Sequence, residues 1–298
     1  MDLSTRISNS WIAIKASSYV MRKEPMLFVF PFYSILITIG SFCLVLWLVM
    51  TNVLGVFNDF SIFCFGYLAM FIGIYLLANI MSVYNGVAIV GCARMRLDGK
   101  DPTVIDGFRI ATLRLPSIIL WGLVEATIGN FISSLKTGPW RIGGRWAYGM
   151  KMGWYVDTIF VLSIIAAANT GPMDALGRSR TLVTKKWGQN LAPNYNIWLT
   201  FVLIGLAIGA LFFTLAIFGL VFGLGALIIY FLILFVLICL LLSLISSTVK
   251  CIFEAALFRY ATVGEPGLGF SASFCEDAFV QVRGDMDWNK GGWTGDWQ

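Results

Sequence analysis

The chain contains no histidine, and only 12% of its 298 residues are charged. The first absence removes histidine-ligated haem, most catalytic zinc sites and every triad that relies on an imidazole base. The second removes a soluble globule, since soluble domains average roughly 25% charged residues. The charges that exist are unevenly spread: none occurs from Pro25 to Asn58, from Phe60 to Ala93, or from Trp187 to Val249. The cysteines (Cys43, Cys64, Cys92, Cys239, Cys251 and Cys275) have no CxxC spacing, so the usual metal and dithiol motifs are missing. There is no GxSxG elbow, and Gly267-Leu-Gly269 lacks both the strand and the lysine–serine of a nucleotide loop. No catalytic set, metal site or cofactor is expected.

What the sequence has in quantity is apolar residues, 58% of the total, with mean hydropathy +0.82. A bilayer core about 30 Å thick needs about 20 helical residues to cross it. Six stretches meet that length or approach it: 27–50, 62–97, 116–135, 152–169, 196–218 and 226–261. The expectation is an all-α polytopic membrane protein, with 1–282 as one integral membrane domain and 283–298 as a tail. The fourth span is the weakest, being short, carrying Asp157, and open to a tilted or re-entrant course. The first apolar run is longer than the roughly 7–15 residues of a signal-peptide core, so it is expected to remain as an anchor.

Orientation follows from the basic residues. With the N-terminus inside, 17 of the 21 lysines and arginines fall on the inner side. The positive-inside rule then places both termini in the cytoplasm. The exceptions, Lys136, Arg141, Arg145 and Lys151, share one loop with Trp140 and Trp146, which fits an interfacial hairpin.

The chain also repeats itself. Arg94-Met-Arg-Leu-Asp-Gly99-Lys-Asp-Pro102 closes the second span and Arg259-Tyr-Ala-Thr-Val-Gly264-Glu-Pro266 closes the sixth, with arginine and glycine recurring at an offset of 165. A cation favours a helix C-terminus, glycine stops the helix and proline keeps it from resuming. Each pair of spans is preceded by a short amphipathic segment. Ile7, Trp11, Ile14 and Met21 share a face in the first. Val104, Phe108, Ala111 and Leu115 do so in the second, and Met173, Leu176, Val183 and Trp187 in the third. Such segments, with basic flanks and tryptophan, suit the headgroup plane. The unit is therefore interfacial helix plus membrane hairpin, three times over. A fourth amphipathic piece is expected at about Ala272 to Val282.

Several motifs occur in order: Arg6-x-x-x-Ser10-Trp11, Leu97-Asp-Gly-Lys-Asp-Pro-Thr-Val-Ile-Asp-Gly-Phe-Arg109, Gly171-Pro-Met-Asp-Ala-Leu-Gly-Arg-Ser179, Lys186-Trp-Gly-Gln-Asn190 and Phe258-Arg-Tyr-Ala-Thr-Val-Gly264. With these the chain resembles an uncharacterised family of six-span prokaryotic membrane proteins, a domain of unknown function. The resemblance covers roughly residues 5 to 282 and implies a prokaryotic inner-membrane protein. It carries no activity and no site residue.

Ionisable residues inside a membrane are costly and mark functional sites by default. The candidate intramembrane polar site is Glu125, Asn130, Asn85 and Lys250. Glu125 lies midway along span three, with Asn130 lining a possible cation path. The plainer reading is a neutral or hydrogen-bonded carboxyl, since no second midplane charge is evident. Lys250 and Glu254 stand i, i+4 and are expected to satisfy each other. Asp157 is expected near the outer surface, in reach of water or Lys151. Arg94, Arg96, Lys185, Lys186 and Arg259 are assigned to anionic headgroups. Nucleic acid is not expected, because topology already accounts for the basic residues. Trp288, Trp293 and Trp297 stand among glycines and acids in the tail, a composition that fits docking to a partner. The reading is a non-catalytic protein serving as a structural or accessory subunit of a larger membrane assembly. The alternative is a transporter or channel for a small or hydrophobic solute, with Glu125 in the pathway.

Overall fold

The computed structural model describes residues 3–50, 60–134, 144–168, 170–189, 191–221, 225–281, 286–287 and 292–293. Its architecture is all-α and polytopic, with six helical stretches long and apolar enough to cross a membrane. The first unit comprises α1 (Leu3–Lys23), α2 (Val29–Met50) and α3 (Phe60–Leu97). The second comprises α4 (Val104–Leu113), α5 (Leu115–Val124), a π-helical turn (Glu125–Gly129), α6 (Asn130–Ser134), α7 (Gly144–Thr158) and α8 (Val161–Ala167). The third comprises α9 (Pro172–Trp187), α10 (Ile197–Val221) and α11 (Gly225–Val263).

The offset of 165 governs the structure as well as the motifs. α3 starts at Phe60 and α11 at Gly225, 165 residues later, and α1 and α2 correspond in the same way to α9 and α10. Gly99 and Gly264, also 165 apart, both adopt positive φ (81° and 91°), which glycine alone reaches without a Cβ penalty. At the first, Lys100 N–H reaches the Met95 carbonyl at 2.9 Å; at the second, Gly264 N–H reaches the Tyr260 carbonyl at 3.0 Å. α3 and α11 touch where equivalent residues meet, a Cβ on Gly86 lying 4.0 Å from Cys251 Sγ. The equivalent arginines brace the pair reciprocally. Arg94 of α3 sits 5.0 Å over the Phe258 ring of α11, and Arg259 of α11 bonds Asp98, just beyond α3, at 2.8 Å.

Burial is concentrated at the end of the bundle that carries these arginines. The long buried runs begin at Val83 in α3 and at Thr248 in α11. Beyond them, toward the opposite end, Leu68, Phe71 and Ile72 of α3 and Tyr230, Leu232 and Leu237 of α11 are exposed. α10 runs antiparallel to the first part of α11, with Phe212 against Phe231 and Phe235, and Gly209 admitting the Phe235 ring.

The amphipathic segments at 7–21, 104–115 and 173–187 are helices, but two of them bury a different seam from the one expected. In α1 the buried seam is Ser10, Ala13, Ile14, Ser17, Val20 and Met21, and Trp11 is 47% exposed. In α9 it is Ala175, Ser179, Val183 and Trp187, with Met173 exposed. Small residues win because their hydroxyls and short side chains allow backbones to approach. Ser10 Oγ accepts the Asn196 N–H at 2.7 Å and Ser179 Oγ accepts the Phe160 N–H at 3.1 Å. Each thereby serves a backbone donor at the start of another helix, α10 or α8. α4 follows the expectation more closely: Ala111 is buried, Phe108 packs on Phe30 at 5.1 Å, and a Thr103–Asp106 capping box starts the helix.

Three further differences stand out. The fourth span is two helices, broken at Ile159–Phe160, because Phe160 turns inward between Trp187 and Phe258. The segment expected as a fourth amphipathic helix is a short helix, α12 (Ala272–Glu276), followed by strand β2 (Phe279–Gln281). β2 pairs antiparallel with β1 (Leu191–Pro193), Ala192 opposite Val280. Trp187 Nε1 ties this region down by donating to the Cys275 and Glu276 carbonyls at 3.0 and 3.1 Å. Finally, Asp157 pairs with Arg180 of α9 at 3.9 Å and not with Lys151. The basic loop's Trp140 lies outside the described residues.

Candidate functional site

The site is built where packing ends. α5 is fixed by Gly122, where a Cβ would come within 2.9 Å of the Ile80 backbone of α3, and by Trp121, stacked on Trp154 of α7 at 6.2 Å. Straight after this anchor the helix widens into the π turn that begins at Glu125. A π turn disturbs the regular hydrogen-bond ladder and recurs at functional sites. Here the Ala126 carbonyl accepts the Tyr75 hydroxyl at 2.8 Å.

Within the buried run of α11 that begins at Thr248, the side chain of Lys250 stays half-exposed and lies within electrostatic range of Glu125. Its Nζ is 3.7 Å from Glu254 Oε1, so the expected i, i+4 pair forms. The Glu254 side chain keeps 6% of its surface and that of Lys250 keeps 53%. Lys250 is nevertheless within electrostatic range of Glu125, Glu254, Tyr155 and Cys251. Glu125 of the π turn, Tyr155 of α7 and Cys251 and Glu254 of α11 thus share one electrostatic neighbourhood around a half-exposed ammonium. Counting about 1.5 Å per helical residue, Lys250 lies roughly 14 Å from Arg259, and Glu125 roughly 15 Å from Leu115. By this count each lies about half the thickness of a bilayer core of about 30 Å along its helix from those residues. Toward the opposite end, Ser247 and Ser243 continue the face of Lys250 and Glu254 at spacings of three and four.

Tyr155 of α7 also meets Tyr195, which precedes α10. Tyr155 donates to the Tyr195 hydroxyl at 3.2 Å, and Tyr195 packs edge-on to Phe253 at 4.8 Å. Burial, then the neighbouring Tyr155 and Glu254, holds the Tyr195 hydroxyl well above its ordinary value, so it stays a neutral phenol.

Of the four expected polar-site residues, Glu125 and Lys250 lie within electrostatic range of each other and the asparagines do other work. Asn130 belongs to a separate knot, donating to Tyr75 Oη at 2.7 Å and Asn79 Oδ1 at 3.3 Å. Asn85 is buried and its amide returns to the Met81 carbonyl of its own helix at 2.7 Å. Its Oδ1 has no partner among the described residues. Asn85 is the repeat equivalent of Lys250, one place before the helix contact in each case. Glu254, Tyr155, Tyr195 and the serines of α11 were not in the expected set. Of these, Glu254 was expected only as the ion-pair partner of Lys250, and the serines form a polar stripe that the sequence carries on an apolar helix.

The residues assigned to headgroups divide into two groups. Arg96 pairs with Glu24 at 3.2 Å and with Asp101, Arg259 is held by Asp98 and the Glu265 carbonyl, and Arg94 reaches the Ser163 carbonyl at 3.4 Å. Lys185 and Lys186 are exposed, Lys186 lying 4.1 Å from the Tyr260 ring centroid. In the tail, Trp293 lies in strand β4 (Gly292–Trp293), opposite Met286 of β3 (Met286–Asp287). Trp288 and Trp297 lie outside the described residues. Among the described residues no three Cys, Asp or Glu side chains converge as metal ligands would.

Residues 64–270 match the model of a family described as a family of unknown function (DUF6159), and the chain belongs to it. The match takes in α4 to α11 and the motifs at 97–109, 171–179, 186–190 and 258–264, and leaves out Arg6–Trp11. No curated protein and no solved structure matches the chain.

Proposed function

We propose that this member of a family of unknown function is a non-catalytic multi-pass protein of a prokaryotic cytoplasmic membrane, and that it serves as a structural or accessory subunit of a larger assembly. Both termini are read as cytoplasmic from the distribution of lysine and arginine. Lys185 and Lys186 are the exposed cations for anionic headgroups, each worth about 1 kcal/mol near such a surface.

One observation carries the subunit reading. Only 6% of the most apolar window of Ile197–Phe218, and 6% of that of Ile229–Val263, is buried in this chain. Leu206, Leu211, Phe213, Ile229 and Tyr230 are thus exposed apolar side chains left for lipid or another protein to cover. Tyrosine and phenylalanine at such density favour protein contacts. Extraction in native nanodiscs followed by mass measurement tests the reading. The expected particle is heavier than one 33.0 kDa chain, with other subunits in fixed ratio. A particle of one chain and lipid alone would end it.

A second reading, a transporter or channel for a small solute, is favoured by the convergence of Glu125 and Lys250 from different spans. A liposome flux assay comparing the native protein with Glu125→Gln tests it, with coupled flux lost in the variant as the expected outcome.

A further inference from the structure

α1 is fastened at both ends to points where spans begin or end. Ser10 Oγ accepts the Asn196 N–H at 2.7 Å and the Asn9 amide donates to the Asn194 carbonyl at 3.1 Å, just before α10 starts at Ile197. Glu24, one residue past α1, pairs at 3.2 Å with Arg96 near the end of α3, and the first span begins at Pro25. All of these points lie at the arginine-bearing end of the bundle. A helix pinned to them over roughly 20 Å runs along the level of the span ends, not across the membrane. Its buried seam, which includes Ser10, Ala13, Ser17 and Val20, faces α10 and α11. The opposite face holds Trp11, Ile12, Lys15, Tyr19, Arg22 and Lys23, all exposed, within an arc of about 120°. That face is of one sign: Leu3–Lys23 contains no aspartate or glutamate. Among the described residues Lys15, Arg22 and Lys23 form no ion pair, whereas Arg94, Arg96 and Arg259 spend their guanidinium groups on protein partners. Rings and cations alternate on it, with Lys23 Nζ 5.0 Å from the Tyr19 ring centroid. Tyr19 is flanked by Gly269 of the loop after α11, where a Cβ would lie 3.1 Å from its Cδ1.

We propose that the outward face of α1 is a docking surface for anionic phospholipid headgroups, with Lys15, Arg22 and Lys23 meeting the phosphates and Trp11, Ile12 and Tyr19 entering the boundary between headgroups and acyl chains. Three features select this occupant. The face looks away from the bundle at the level of the span ends, which is where headgroups lie. Its cations have no acid beside them on the helix, so an anionic partner is needed to balance them, and an anionic leaflet attracts such residues. Tryptophan and tyrosine, with an apolar body and a polar tip, suit that boundary, and lysine and arginine stems lie along apolar surface while their heads reach the phosphates. The proposal rests on the multi-pass reading above and adds to it the lipid class and the helix face that receives it. It also changes which residues do so: Ile14 and Met21, expected beside Trp11 at the headgroups, belong to the bundle, and Lys15 and Tyr19 take their place.

Fluorescence quenching by brominated lipid tests it on the full chain in nanodiscs of phosphatidylcholine and phosphatidylglycerol. The lipid composition is held constant, and the bromine is carried on the acyl chains of phosphatidylglycerol in one arm and of an equal amount of phosphatidylcholine in the other. The Trp11 signal is the difference between the native protein and Trp11→Phe. The expected result is that Trp11 is quenched several-fold more by brominated phosphatidylglycerol, since each cation near an anionic surface is worth about fivefold in occupancy, or about 1 kcal/mol. Lys15→Gln/Arg22→Gln/Lys23→Gln is expected to make the two arms equal, and Lys185→Gln/Lys186→Gln to leave their difference in place. Equal quenching in the native protein, or a preference that survives the triple change, overturns the proposal. Absence of Trp11 quenching in both arms also overturns it and gives the face to a protein, either a partner or a second copy. Should Trp11→Phe fail to fold, the association of spin-labelled phosphatidylglycerol with the native and triple-variant proteins decides the matter, an unchanged association overturning the proposal. A chain that alkaline carbonate strips from its membrane would fail the multi-pass reading itself. Equal quenching in a chain that resists stripping fails this proposal alone.

Discussion

Single side chains in this protein are governed by how little water reaches them. Cys275 shows this outside the spans: burial pushes its thiol up to about 12, from 9.0 in the unfolded chain. The folded state therefore holds its proton more tightly. Its contribution to stability is complete below about pH 9 and declines as pH rises toward 12, where the unfolded chain ionises first. Thermal unfolding across that range, followed by tryptophan fluorescence, should show the decline in the native protein and a shallower one in Cys275→Ala. Alkylation by a small maleimide should accordingly spare Cys275 in the folded state. The Lys250–Glu254 pair follows another rule. Removing the ammonium alone leaves a buried carboxylate without its partner, so Lys250→Met should cost more stability than the Lys250→Met/Glu254→Gln double change. A coupling of about 1–3 kcal/mol is expected from a double-mutant cycle. Additive single effects would mean that the two groups do not depend on each other.

Helices and strands reveal what local sequence can and cannot announce. The spans were legible because a neutral apolar run has few soluble uses, and the ends at Gly99 and Gly264 because only glycine tolerates their backbone. The break at Phe160 was not legible: no glycine or proline marks it, and its cause lies in Trp187, Phe258 and the Ser179 hydroxyl, all remote in sequence. The π turn at Glu125 was hidden for the same reason, as its freed carbonyl is satisfied by Tyr75, fifty-one positions away. The polar neighbourhood of Lys250 was half legible. An intramembrane glutamate draws notice by itself, but its neighbours Tyr155 and Tyr195 look like ordinary aromatic packing until the helices are assembled. Strand pairing of Leu191–Pro193 with Phe279–Gln281 depends on three-residue segments, too short to carry a period. At this scale α4 gives a clear test. A Cβ on Gly107 would lie 2.3 Å from Phe30 and 2.8 Å from Cys92, so Gly107→Ala should destabilise by about 1–3 kcal/mol through overpacking. Trp187→Ala, which opens a cavity and abandons two carbonyls, should cost about 3–5 kcal/mol. If either variant melts with the native protein, the seat described for that helix is wrong.

Across the whole molecule, duplication sets the plan and the middle unit breaks its symmetry. Gly99→Ala and Gly264→Ala should each cost about 1–2 kcal/mol, and by similar amounts, because equivalent turns carry equivalent strain. A large inequality in their melting shifts would show that the two halves are not structurally interchangeable. The Arg259–Asp98 brace is partly exposed, so its removal should cost no more than about 1 kcal/mol, a minor share of what buried packing supplies. The contact between Gly86 and Cys251 has a mechanical side. Two long rods packed on each other near one end, with exposed apolar side chains toward the other, would work as a pair of shears with this contact as their fulcrum. A small change of angle there, too slight to disturb the side chains at the joint, becomes a wide separation at the far tips. Whatever covers the exposed apolar side chains beyond the joint, be it lipid or a neighbouring subunit, would then bear on the angle of the blades and be felt one residue from Lys250.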